Sequence, residues 1–291
     1  MMQPVISIVV VTFNMNREAP RTIYSLSPAM QRGISSAEYE IIVVDNGSDE
    51  NRTDYDLGNA KVTFLDVANP TKSPAAALNL GIRVARGRVI GAMIDGARMV
   101  SPGLLASVAD AIKLHPRAIV SPLGFHLGEV SQNQSVAHGY CQAVEDQLME
   151  SVNWKSDGYK LFDISVIAPG NRDGLTKPLP EATALFMSRS LWDEVGGFDE
   201  RFHCAGGGLV NLDTYRRACE LGDVKPICIL GEGTFHQVHG GVASNSIVHP
   251  WPEFHEEYVL VRGKKFEPPK HELSFYVSKL NPRFEFKRHA S

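Results

Sequence analysis

The stretch VISIVVVTFN at residues 5–14 decides the fold. Val5–Thr12 is a continuous β-branched run, the pattern of a strand buried on both faces of a parallel sheet. It is short and no basic region precedes it, so it reads as a strand and not as a leader peptide. Working outward, Arg17–Met30 is helix-compatible, with Pro20 tolerated in a first turn. Glu40–Val44 predicts a second buried strand, ending in the turn residues Asp45, Asn46, Gly47 and Ser48. Val62–Val67 predicts a third strand. Ser73–Ala85 predicts a helix with Ser73 as N-cap and Pro74 at its first position. Arg88–Ile94 is a fourth strand, halted at Asp95-Gly96, and Ser101–Lys113 another helix. This alternation implies an α/β fold built on a doubly wound, mostly parallel central sheet flanked by helices, with ligands at the carboxyl ends of the strands. Asn14, Asp45 and Asp95 fall at those ends. Each alone is also an ordinary turn former; three at one sheet edge point to a site.

The rest of the chain is less periodic. Residues 121–176 carry one helical pattern, Gln142–Val152, among polar stretches such as Ser131–Ser135. Ala182–Ser188 predicts a strand, Arg189–Val195 and Leu212–Leu221 helices, and Lys225–Leu230 a strand. Gly231–Asn245 reads as a glycine-rich loop holding His236 and His239, and the proline-rich tail from His249 as irregular chain wrapping the surface.

Composition sets the outer bounds. The 291 residues hold 33 acids and 29 bases, a formal net charge of −4, and are 43% hydrophobic, which excludes a disordered chain. A mildly acidic protein lacks the footprint of a general nucleic-acid binder, so no nucleic-acid partner is expected. Four cysteines with no CxxC pair fit reduced thiols. No run approaches the ~18 apolar residues that cross a bilayer. These features together predict a cytoplasmic protein.

The pieces SIVVVTFN (7–14), IIVVDNGS (41–48), ALNLGIRVARG (77–87), IDGARMVSPG (94–103) and EVGGFDERF (194–202) resemble, in order and spacing, the inverting nucleotide-sugar glycosyltransferases of family 2. The resemblance implies a GT-A, Rossmann-like fold over residues 1–245, with a nucleotide-binding half at about 1–120, an acceptor-side half at about 121–245, and an extension, 246–291, packing on the domain. It implies that Thr12 and Asn14 approach the base and ribose of the donor. Asp45 resembles the carboxylate that accepts from a uracil N–H; a charged acceptor makes the stronger bond. Asn79 matches the asparagine that lies near the ribose or anchors a loop, though a mid-helix asparagine also bonds to neighbouring backbone. Asp95 resembles the first carboxylate of the DxD motif, and the segment 231–241 resembles the stretch carrying a late metal-facing histidine.

Two departures follow from the same alignment. The second DxD position is Ala97, which cannot coordinate a metal. Either Asp95 with His239 or His236 holds Mn²⁺ or Mg²⁺, or Arg98 binds the diphosphate itself as a bidentate guanidinium. The acidic stretch that supplies the catalytic base is replaced by Gly206-Gly207-Gly208-Leu209-Val210-Asn211. Asp213 is then the expected base, with Glu181 and Asp199 as other carboxylates. Asp213 also suits a plain first-turn acid.

The expected function is inverting transfer of a sugar from a UDP- or GDP-type donor to a hydroxyl of a sugar or glycoconjugate acceptor, leaving room for a homo-oligomer. The alternative is a glycosyltransferase-like binding or scaffolding protein whose chemistry has decayed. A nucleotidyltransferase would want glycine in the loop after the first strand, and residues 12–16 contain none.

Overall fold

A run of β-branched residues buried on both faces, β1 (Ile6–Thr12), forms the centre of a mostly parallel sheet in the computed structural model of the chain. The structure describes residues 3–50, 56–243, 245, 250–272 and 274–284. The expected 245/246 boundary touches residues 246–249, His249 among them, which lie outside the described residues. On one side of β1 lie β2 (Tyr39–Asp45) and β3 (Val62–Asp66), both parallel to it. On the other side lie β4 (Val89–Met93), parallel, and β8 (Leu185–Ser188), antiparallel. Beyond β8 come β6 (Ala118–Leu127), β9 (Lys225–His236) and β10 (Phe275–Val277).

Helices cover both faces. α1 (Glu18–Leu26) and α3 (Leu104–Ala111) close one core with Ile6, Ile8 and Val10. α2 (Ala75–Val84), α6 (Arg189–Val195) and α7 (Val210–Cys219) close the other with Val9, Val11 and Val44. α2 lies so close to the sheet that a Cβ on Gly81 would stand 2.3 Å from Cγ1 of Val9. The helix begins at Ala75, with Pro74 rather than Ser73 in the cap position.

Three expectations change. Lys225–Leu230 is only the first half of β9, which runs on to His236, so His236 stands on a strand and not in a loop. The irregular tail contains α8 (Trp251–Arg262), whose Phe254 and Tyr258 enter the main core, and the short strand β10. Its prolines, Pro250 and Pro252, sit at the helix start, where a missing N–H costs nothing. The aperiodic middle holds β6, β7 (Ser165–Ile167), the single turn α4 (Gln132–Ser135) and α5 (Gln142–Val152), the last as the pattern predicts.

The far ends of β6 and β9 matter most for the site. A register shift at Pro122/Leu123 carries both strands past the main sheet, where β5 (Arg98–Val100) pairs with β9 and β7 pairs with β6. Arg98, His236 and His126 are thereby opposite one another on three adjacent strands.

Candidate functional site

Side chains from β4, β5 and β9 converge on one carboxylate oxygen. Asp95 follows β4, and its Oδ1 accepts from the Ala97 N–H at 2.9 Å, a turn that aims Oδ2 inward. Nε2 of His236 lies 2.7 Å from Oδ2, Nε2 of His239 3.4 Å from it, and Nε of Arg98 3.9 Å from it. The carboxylate and the two imidazoles each offer one ligand atom, all within 4.8 Å of one another.

The second nitrogen of His236 is fixed as well. Its Nδ1 lies 2.5 Å from Oε1 of Gln132, whose Nε2 donates to the backbone carbonyl of His236 at 2.8 Å. Asn245 donates to the same Oε1 at 3.3 Å while its own Oδ1 accepts from the His239 and Gly241 N–H groups. The Gln132 oxygen therefore faces the ring as an acceptor. A neutral imidazole carries one proton, yet His236 faces two acceptors at hydrogen-bonding distance. A second proton or a cation must relieve one of them. Burial pushes the His236 pKa down to about 4, against the pull of Asp95. At neutral pH a cation is the better solution.

The surrounding charges agree. Burial works against ionised Asp95, but His239 and His236 hold it well below the ordinary carboxylate range. Burial likewise opposes charged His239, but Asp95 and Glu18 raise its pKa above the usual value. Among the described residues, the enclosed Nε2 of His239 finds no hydrogen-bond partner in acceptable geometry, its 3.4 Å approach to Asp95 being too poorly aligned. Nε and Nη1 of Arg98 are also enclosed and without a hydrogen bond among the described residues. A buried donor without a partner is costly, so this side of the site is prepared for anionic oxygens. The residues fit a divalent cation: one carboxylate and two imidazoles form a mixed O/N donor set. The Gln132 contact on the far nitrogen is the kind of support that orients a ligating histidine.

The other expected residues divide into two groups. Thr12 and Asp45 meet at the ends of β1 and β2, with Thr12 Oγ1 donating to Asp45 Oδ2 at 3.4 Å. Asp45 also accepts from the Gly47 and Ser48 N–H groups and the Ser48 hydroxyl. Asn14, left-handed at φ 52°, is exposed and bridges to Asp49 and Ser48. These three line the strand-end edge.

Asn79 and Asp213 are engaged elsewhere. The Asn79 amide donates to Phe198 O and Glu200 and accepts from the Phe198 N–H, so it anchors the turn after α6, the loop-anchoring alternative. Asp213 is 1% exposed. Its Oδ1 accepts from Arg262 at 2.6 Å, and its Oδ2 from Arg262 at 2.6 Å and Arg217 at 2.8 Å. Arg262 also pairs with Asp199 at 2.8 Å. Both acids thus bind α8 to the core, and the geometry gives Asp213 to packing and not to an acceptor hydroxyl. Glu181 is half-buried, faces no cation among the described residues, and accepts from Asn211 at 3.3 Å at the start of α7.

Two participants carry no signal in the sequence. Gln132 lies in an aperiodic polar stretch. His126 becomes visible only through its register with His236, where its ring centroid stands 5.5 Å from that of His236.

Comparison with known proteins agrees with this architecture. The crystal structure of S. aureus TarS 1-349 in complex with UDP-GlcNAc superposes with a TM-score of 0.53 at 14% identity, covering 88% of this chain and 65% of that one. That of S. aureus TarS superposes with a TM-score of 0.52 at 15% identity, covering 88% of this chain and 38% of that one. The present chain therefore spans less than two thirds of either TarS chain, and at such identities the likeness is one of GT-A fold. No curated protein sequence matches. The sequence profile described as Glycosyl transferase family 2 matches residues 7–172, more than half of the 291. On that match, and with the strand-end site in the corresponding fold, this chain belongs to glycosyl transferase family 2.

Proposed function

We propose that the chain is an inverting glycosyltransferase that moves a sugar from a nucleotide-sugar donor to a hydroxyl acceptor. The observation that carries this reading is the convergence of His236, His239 and Arg98 on one oxygen of Asp95 at the strand-end edge of a family 2 fold. Asp95, His236 and His239 would hold a divalent cation, Mn²⁺ or Mg²⁺, which when bound neutralises charge on the diphosphate leaving group. Arg98 would donate its unbonded N–H groups to phosphate oxygens. The two alternatives raised by Ala97, a histidine-held cation and an arginine-held diphosphate, thus become halves of one site. Thr12, Asn14 and Asp45 would border the base and ribose. Uridine diphosphate donors are the first to test, since the TarS structure that superposes here holds UDP-GlcNAc.

Glu181 is our choice for the base that takes the acceptor proton. It is the expected carboxylate that faces no guanidinium among the described residues, and a base must present a free lone pair to the attacking hydroxyl. Residues 1–245 would form the transferase domain, with donor chemistry in 1–120 and acceptor contacts in 121–245, and 246–291 would brace it through α8. Among the described residues no helix is long and apolar enough to cross a membrane; we keep the expected cytoplasmic location as part of the proposal.

The decayed-scaffold reading draws on the absent acids at Ala97, Gly208 and Leu209. Donor hydrolysis separates the two. Slow release of UDP from UDP-GlcNAc or another UDP-sugar, abolished in Asp95→Ala, supports the enzyme. A protein that binds UDP with Mn²⁺ and turns over no UDP- or GDP-sugar would support the scaffold.

A further inference from the structure

Val238 lies between the two histidines and is 5% exposed. β9 ends at His236, so Val238 and His239 have left the sheet and their backbone groups need other partners. The Val238 N–H donates to Oε2 of Glu145 at 2.8 Å, and its carbonyl accepts from Nη1 of Arg17 at 3.2 Å. Glu145 stands on α5 and Arg17 directly before α1, and the two pair at 3.2 Å, with the Glu145 side chain fully enclosed. Tyr140 donates to the same Oε2 at 3.1 Å. Arg17 is itself held by Glu18 and Asp146, each at 2.7 Å, and by the Gln142 carbonyl.

We propose that Glu145 and Arg17 are positioning residues for the cation site: by holding both backbone polar groups of Val238 they set the separation of His236 and His239. This inference rests on the reading of Asp95, His236 and His239 as cation ligands. His236 is fixed independently, through β9 and Gln132. Among the described residues the His239 backbone is held by Asn245 on its N–H and by the clamp on the preceding residue. The clamp therefore governs the His239 half of the site. A neutral donor or acceptor would satisfy Val238 equally well, and a buried ion pair is weak evidence for stability because desolvation offsets its attraction. What a charged pair between two helices adds is a fixed place for the backbone it grips. Through it, α5 on the acceptor-side half and α1 on the nucleotide half jointly define the bite of the ligands.

The test is Mn²⁺ affinity, read from free Mn²⁺ by electron paramagnetic resonance, beside thermal unfolding and UDP binding in EDTA. Glu145→Gln keeps the shape but turns an amide N–H toward the Val238 N–H or the Arg17 guanidinium. It is expected to weaken Mn²⁺ binding by about tenfold to a hundredfold, as loss of outer support does at other sites, with UDP binding in EDTA unchanged. Tyr140→Phe removes a donor from the same carboxylate without touching Val238 and should leave Mn²⁺ affinity within about twofold, there being no ligand support to lose. Should Glu145→Gln fail to fold, Arg17→Lys, which keeps the charge but loses the fork, carries the same expectation. A folded Glu145→Gln or Arg17→Lys that binds Mn²⁺ as the wild type does would overturn the inference. His239→Ala, measured alongside, guards the premise: if it binds Mn²⁺ as the wild type does, the ligand assignment fails and the inference with it.

Discussion

Nε2 of His236 lies 2.7 Å from Oδ2 of Asp95 while Nδ1 of the same ring lies 2.5 Å from the Gln132 carbonyl oxygen, so a single imidazole proton serves only one of two acceptors. A cation at Nε2 removes the conflict, and binding to the native state alone stabilises it. Mn²⁺ at about a hundred times its Kd should add about 2.7 kcal/mol. Differential scanning fluorimetry should show a rise of several degrees in Tm that EDTA reverses and Asp95→Ala abolishes. An equal rise in Asp95→Ala would mean the ion binds elsewhere.

Protons compete with the cation at these ligands. His239, raised above its ordinary value by Asp95 and Glu18 against the effect of burial, must give up any proton it holds when the metal binds. Mn²⁺ affinity should therefore climb as pH rises through the raised His239 titration, by up to about tenfold per pH unit, with proton release detectable by calorimetry in buffers of different ionisation enthalpy. His236 makes the stability of the metal-free protein in EDTA rise with pH as well. Its pKa falls from 6.5 unfolded to about 4 folded. Between those values the unfolded chain binds the extra proton, so stability is full above 6.5 and is lost as pH falls toward 4. The loss is on the order of 3 kcal/mol. Denaturant titrations of His236→Asn in EDTA should lack that part of the slope.

The two carboxylates expected as base should separate cleanly. Asp213→Asn leaves Arg217 and Arg262 without their buried partner and is expected to cost about 3–5 kcal/mol of stability. Glu181→Gln should leave Tm and UDP binding near wild type while transfer falls by about 10²–10⁴. A stable, inactive Asp213→Asn would restore Asp213 as the base.

Arg98 presents two enclosed nitrogens, Nε and Nη1, that make no hydrogen bond among the described residues. Bonds from a guanidinium to phosphate are worth about 1.5–3 kcal/mol each. Arg98→Ala should therefore weaken UDP binding by at least about tenfold while leaving uridine binding unchanged, measured by calorimetry with both ligands. Equal effects on UDP and uridine would assign Arg98 to general structure instead.

The first half of the sheet, β1 to β4, is legible because its signals are local. β1 and β2 each carry an unbroken β-branched run, Ile8–Thr12 and Ile41–Val44, and beyond that half α5 matches its periodic pattern residue for residue. β6 is hidden because Pro122 and Gly124 interrupt it at the register shift, and the end of β9 because Gly231 and Gly233 resemble a loop. Within the site, Asp95 and the two histidines stand out through motif spacing. The groups that support them do not, since Gln132 meets His236 across 104 residues and Glu145 meets Val238 across 93. No window of sequence contains such pairs; only closure of the sheet brings them together.

The central claim, a nucleotide diphosphate site completed by a cation on Asp95, His236 and His239, is tested most directly by calorimetric titration of UDP with Mn²⁺ and with EDTA. The account predicts binding at least about tenfold tighter with Mn²⁺, with that difference abolished in both Asp95→Ala and His239→Ala. UDP affinity that is the same with Mn²⁺ and with EDTA, in wild type and variants alike, would contradict it.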